Sequence, residues 1–122
     1  MKIQLTLAEG KNTVTGYGPG WIEINKKRHE TSLVLAPDHL APWPVTSIGG
    51  LTEAHFEPVM QIAPDVLLIG AGDRLNFPSP ALLKPLIEAG IGFEVMNTAA
   101  ACRTYNVLLG DGRNVAAVLI IS

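Results

Sequence analysis

Val66-Leu67-Leu68-Ile69-Gly70-Ala71-Gly72-Asp73-Arg74 is a short apolar run that stops at a glycine-rich turn. A run apolar on both faces and closed by glycine reads as a strand buried on both sides, as inside a parallel sheet. Toward the C-terminus, Phe93-Glu94-Val95-Met96 forms a second short strand and Val115 to Ile121 a third. The third is apolar throughout and belongs at the centre of the sheet. Helical segments alternate with these strands. Thr52 can cap a helix running toward Ile62, and Ser79-Pro80 puts a capping hydroxyl and then a first-position proline before a helix that ends near Gly90. Thr98 or Asn97 caps a last helix through Leu109, with Gly110 at its end as Gly90 ends the one before. Pro58 and Pro85 lie past the first turns of their helices, so each helix starts later or bends there.

Working outward to the N-terminus, the rhythm becomes that of β structure. Ile3 to Leu7, Thr13 to Tyr17, Trp21 to Ile24 and Thr31 to Leu35 are separated by Gly, Asn and Lys, the pattern of an antiparallel meander. Tyr17-Gly18-Pro19-Gly20-Trp21 is a tight turn, and Lys26-Lys27-Arg28 the solvated tip of a hairpin. Ala36 to Gly50 is dense in Pro and Gly and reads as an irregular connection anchored by Trp43. The whole predicts an α/β fold with right-handed strand–helix–strand crossovers that lay helices on a sheet, to which the N-terminal meander adds further strands.

The 122 residues suit a single domain over 1–122, long enough to bury roughly 65% of its unfolded surface. Hydrophobic residues make up 48% and charged residues 16%, with a mean hydropathy of +0.28. That apolar balance leaves room for a homo-oligomer or another protein partner to cover surface. A net charge of −2 with scattered cations argues against nucleic acid. The N-terminus has neither a signal-peptide apolar run nor an Arg-rich presequence, and no stretch approaches the roughly 20 residues that cross a bilayer. With one cysteine, Cys102, the expectation is a cytoplasmic protein with no disulfide and no membrane insertion.

Three segments could carry chemistry. Gly70, Gly72 and Arg74 stand at the carboxyl edge of a buried strand, where open α/β sheets bind ligands. A dinucleotide fingerprint would need another small residue near Leu75 and an immediate helix; Asn76-Phe77-Pro78-Ser79-Pro80 intervenes. The preferred reading is a sharp turn with close backbone packing, and the alternative an anion or small polar ligand held by free N–H groups beside Arg74. Glu94 alternates with apolar neighbours, a pattern that allows it to face the outer side of the sheet. Facing inward it would need Arg103 or Arg113, and this structural pair is preferred to a catalytic acid. Asn97-Thr98-Ala99-Ala100-Ala101-Cys102-Arg103-Thr104-Tyr105-Asn106 opens a helix with small residues and then sets polar groups on several faces. Thr98, Arg103 and Tyr105 are therefore candidates for a ligand or contact site, against the simpler reading that they satisfy neighbouring loops. Cys102 reads as core rather than as a nucleophile of lowered pKa. No Gly-x-Ser-x-Gly elbow is present, and His29, His39 and His55 share no ligand spacing. No metal, cofactor or catalytic residue is implied.

The order of these motifs resembles a known family. Val66 to Gly72, Gly90-Ile91-Gly92-Phe93-Glu94-Val95-Met96-Asn97-Thr98, Ala101 to Leu108 and Gly112-Arg113-Asn114-Val115-Ala116-Ala117 carry the likeness, with Tyr17-Gly18-Pro19-Gly20 and Ser32 to Pro37 in the first half. On these residues the chain is similar to domain-of-unknown-function family 498, whose members include a mitochondrial complex I assembly factor and an adipogenesis-associated protein. The resemblance implies a three-layer α/β fold, with a central mixed β-sheet, helices packed on it and an additional N-terminal antiparallel β layer, and a role in assembling a membrane enzyme through protein contacts. It brings no catalytic residue with it. The leading expectation is thus a non-enzymatic interaction or assembly protein, and the rival a small-ligand binder or enzyme using a crevice between Gly70–Arg74 and Thr98–Arg103.

Overall fold

The computed structural model describes residues 10–121. Two sheets carry the described residues. A three-stranded antiparallel sheet contains β1 (Val14–Gly18), β2 (Trp21–Ile24) and β3 (Lys27–His29), in that order. A five-stranded mixed sheet contains β4 (Leu33–Ala36), β5 (His39–Pro42), β6 (Val66–Gly70), β7 (Gly92–Met96) and β8 (Val115–Leu119), in the order β5-β4-β8-β6-β7. The adjacent trio β8, β6 and β7 is parallel, with β7 at the edge, while β4 runs antiparallel to both β5 and β8. The helices are α1 (Glu57–Ile62), α2 (Pro80–Glu88) and α3 (Thr98–Gly110).

Period-two alternation divides the core into two halves, one on each face of the large sheet. Val34, Leu67, Ile69, Ala116 and Val118 point to the face covered by Val59 of α1 and Leu86 of α2, with Trp43 and Phe56. Leu33, Leu35, Leu68, Val115, Ala117 and Leu119 point to the other. There they meet Ala101, Cys102 and Tyr105 of α3, and Val14, Ile22 and Ile24 of the small sheet. The expected α/β architecture, with a mixed central sheet and an extra N-terminal β layer, is the one observed. β8 occupies the centre because all five of its side chains are buried.

Several local expectations need correction. The N-terminal strands do not form one meander. Leu33 to Ala36 is buried on both faces, so β4 is an inner strand and pairs with β8, leaving β1–β3 in the small sheet among the described residues. The segment expected to be irregular contains β5, an edge strand whose last residue is Pro42, a position where a missing N–H does no harm. The run Ile3 to Leu7 lies outside the described residues. Before α1 the chain first makes a 3₁₀ turn, Glu53–Phe56, with Thr52 and His55 forming a reciprocal cap; Pro58 then falls in the first turn of α1. Asn97, not Thr98, caps α3, its Oδ1 accepting from the Ala100 N–H at 2.8 Å. Gly110 is the last residue of that helix, and its C-terminal glycine is Gly112. With φ at 75°, Gly112 lets its own N–H reach the Leu109 carbonyl and the Arg113 N–H reach that of Leu108.

The ion pair of Glu94 with Arg103 or Arg113, expected for an inward-facing carboxylate, is not formed among the described residues. Glu94 shares the sheet face of Leu68, its partner in register, but β7 is an edge strand and the side chain stands in solvent. Two tight turns shape the small sheet. Pro19-Gly20 follows the type II pattern, with Gly20 at φ 79°. Asn25-Lys26 has positive φ at both positions, as in a type I′ hairpin, and puts Lys26 at a solvated tip.

Candidate functional site

The carboxyl ends of β6 and β7 are the place to look first. The chain leaves β6 toward α2 on one face of the sheet and leaves β7 toward α3 on the other, which makes a topological switch point where α/β sheets open a crevice. Here hydrogen bonds close that crevice. The Ala71 N–H donates to the Met96 carbonyl at 2.8 Å, and the Thr98 N–H to the Gly72 carbonyl at 2.9 Å. Thr98 Oγ1 accepts from the Gly72 N–H at 2.9 Å and donates to the Ile120 carbonyl at 2.7 Å. One threonine thus joins the strand-end turn, the helix start and the end of β8. Gly70 is needed for the same closure, since a Cβ there would meet Thr98 Cα at 3.1 Å and Ala101 Cβ at 3.2 Å.

A cavity of about 290 Å³ opens beside this closed seam, toward the small sheet. The turn residues Tyr17, Pro19 and Trp21 form one wall, and Asp73, Thr98 and Ala99 the other. Its size is at the lower end for small-molecule sites. Arg103 holds the walls together, donating from Nη1 to the Tyr17 hydroxyl at 2.7 Å, with its guanidinium 5.9 Å from the centre of that ring. Trp21 lies against the bare Cα of Gly18, and Arg28 lies over the indole at 4.4 Å.

The structure therefore brings Gly70, Gly72 and Thr98 into one seam and sets Arg103, on the same helix as Thr98, against Tyr17 of the small sheet. Arg74 is exposed and outside the cavity lining. Tyr105 is buried in the core, its hydroxyl donating to the Asn12 carbonyl at 2.8 Å. Next to it, Asn106 grips both backbone groups of Val14: Oδ1 accepts from the N–H at 3.0 Å and Nδ2 donates to the carbonyl at 2.7 Å. Arg103, Tyr105 and Asn106 together clamp the small sheet onto α3. Burial raises the Cys102 thiol to about 12 against the smaller opposing pull of Arg103, so it stays protonated. Burial also lifts the Tyr105 phenol well above its ordinary range, with the charge of Asp38 adding to the effect.

The family model described as a protein of unknown function (DUF498/DUF598) matches residues 14–120. The chain belongs to this family. DUF498 relatives include the bovine (Bos taurus) NADH dehydrogenase [ubiquinone] 1 alpha subcomplex assembly factor 3, 30% identical over 109 residues. That match covers 88% of this chain but 59% of the assembly factor, so the chain spans about three fifths of that relative's length. A 13 kDa major membrane protein of Francisella tularensis is 24% identical, with 85% of this chain and 86% of that protein covered. Among solved DUF498-like structures, a crystal structure from Bordetella parapertussis superposes with a TM-score of 0.88 at 39% identity, over 94% of this chain and 99% of that one.

The cavity wall around Tyr17, Pro19 and Trp21 was not singled out by reading this DUF498 sequence as a site. Its one signal was two aromatics flanking Gly-Pro-Gly, which reads as a turn and not as a lining. A second surface feature also went unread. Between Gly72, tied to Thr98, and the buried Pro78, the chain displays Leu75 at 56% and Phe77 at 65% exposure. Among the described residues, no helix is long and apolar enough to cross a membrane.

Proposed function

We propose that this chain is a non-enzymatic interaction or assembly protein, a single domain over residues 1–122 that works in the cytoplasm without inserting into a membrane. Its partner is a protein, not a nucleic acid, and a homo-oligomer is compatible with its apolar surface. The observation that carries this reading is the loop Asp73–Ser79. Leu75 and Phe77 stand in water on a segment fixed at both ends, so docking them removes apolar surface at little cost in chain ordering. The name of the bovine relative, an assembly factor for a membrane enzyme, supports the same direction.

The test uses Leu75→Asp with Phe77→Asp, expressed at native level in the source organism. On native gels of gently solubilised cells, the wild-type chain is expected to migrate in a larger complex, and the double variant at its own mass with an unchanged melting temperature. Identical migration of both would overturn the reading.

One observation favours a second reading, that of a small-ligand binder: the cavity between the Tyr17–Trp21 turn and the Thr98–Ala99 helix start, with Arg103 bonded to Tyr17 of its wall. Ligand binding there would show as a thermal upshift in a metabolite screen that Ala99→Leu abolishes.

A further inference from the structure

Among the described residues, β7 is the outer strand of the large sheet and has β6 as its neighbour on one side alone. The ladder tells which of its backbone groups are taken. The Gly92 N–H donates to the Asp65 carbonyl at 3.1 Å and the Met96 carbonyl accepts from the Ala71 N–H at 2.8 Å. In a parallel pair, alternate residues turn both their N–H and C=O toward the neighbour, so Gly92, Glu94 and Met96 bond β6. Phe93 and Val95 turn theirs to the open edge. Edges of this kind are commonly blunted by proline, by charged side chains, lysine above all, or by a bulge. β7 has no proline, lysine or bulge, and its one charged residue is Glu94, exposed and without an ion partner among the described residues.

We infer that the β7 edge is a docking strand for an extended segment of another protein that carries Lys or Arg opposite Glu94. The charge selects this occupant over a second copy of the chain. In a twofold antiparallel pairing, the four open groups are all used only if Phe93 faces Val95 of the other copy. That register sets Glu94 directly against its own counterpart, at a non-hydrogen-bonded position where side chains come closest. A foreign strand with a cation at that position makes the same hydrogen bonds and turns the repulsion into attraction. Gly92, exposed and without a side chain, leaves room on the same face for the neighbouring side chain of the added strand.

The inference rests on the reading of the chain as a protein-binding module, and adds to it a place and a chemistry that do not involve Leu75 or Phe77. The probe is a seven-residue peptide of alternating Thr and Val with a central Lys, compared with the same peptide bearing a central Glu. Both are titrated into the ¹⁵N-labelled full chain. The Lys peptide is expected to shift and protect the Phe93 and Val95 amides, and to bind about threefold tighter than the Glu peptide, the size of one cross-strand charge pair. Glu94→Lys should reverse that order while the rest of the spectrum keeps its dispersion, so a folding failure is visible as such. Equal binding of both peptides, shifts confined to other strands, or no binding at millimolar peptide would overturn the inference. Loss of the larger complex on mutating Leu75 and Phe77 is read in cells and is independent of these outcomes.

Discussion

Among single residues, Cys102 and Asn106 show how environment fixes role. A cysteine near a helix start and beside an arginine has two features that lower a thiol pKa, yet complete burial outweighs both and raises it to about 12. The stability consequence follows from the sign of the shift. An unfolded thiol ionises near 9.0 and the folded one near 12, so its contribution is complete below about pH 9 and is lost as pH rises toward 12. Urea midpoints should fall from pH 8 to pH 11, less so in Cys102→Ala. Iodoacetamide should label native Cys102 only at the rate of local opening; labelling as fast as in the urea-unfolded chain would contradict its placement. Asn106→Ala removes both bonds to Val14 and leaves a partly buried N–H and carbonyl without partners, so a loss of about 2 kcal/mol is expected in chemical denaturation.

Across elements, α3 is the component on which the others depend. Asn97 caps it, Thr98 ties its first turn to β8 and the Gly72 turn, and Arg103, Tyr105 and Asn106 fasten the small sheet to its outer side. Its two terminal glycines separate a conformational need from an incidental residue. Gly112 has φ 75° and Gly110 is the last helical residue, and a methyl group added at either position would meet nothing within 4 Å. Gly112→Ala should therefore cost about 1 kcal/mol through backbone strain alone, whereas Gly110→Ala should stabilise by roughly 0.5 kcal/mol. Thermal melts of the two single variants shifting in the same direction would contradict this assignment.

For the molecule as a whole, legibility followed the distance over which each feature is decided. The parallel core could be read because β6 and β8 carry their burial in their own apolar runs, and α3 because Asn97 and the following alanines lie side by side. β5 could not, since His39-Leu40-Ala41-Pro42 has little strand character and becomes a strand only by pairing with β4. The division of the N-terminal strands between two sheets depends on β8, far along the chain, accepting β4 as its partner. The cavity was equally hidden: its walls are linked by Arg103 and Tyr17, 86 positions apart. Of the candidate residues, Gly70, Gly72 and Thr98 meet because strand end and helix start are joined by topology, while Tyr105 looked like a site residue only because a buried hydroxyl and an exposed one have the same sequence signature.

The central claim is that the chain works by binding another protein, and native mass spectrometry of the untagged protein, gently isolated from its own cells, tests it most directly. The account predicts a reproducible complex with a distinct protein chain, absent when Leu75 and Phe77 are both replaced by Asp. A chain recovered free of protein partners but carrying a bound small molecule, retained in that double variant and lost in Ala99→Leu, would contradict it and move the function to the cavity beneath Tyr17 and Trp21.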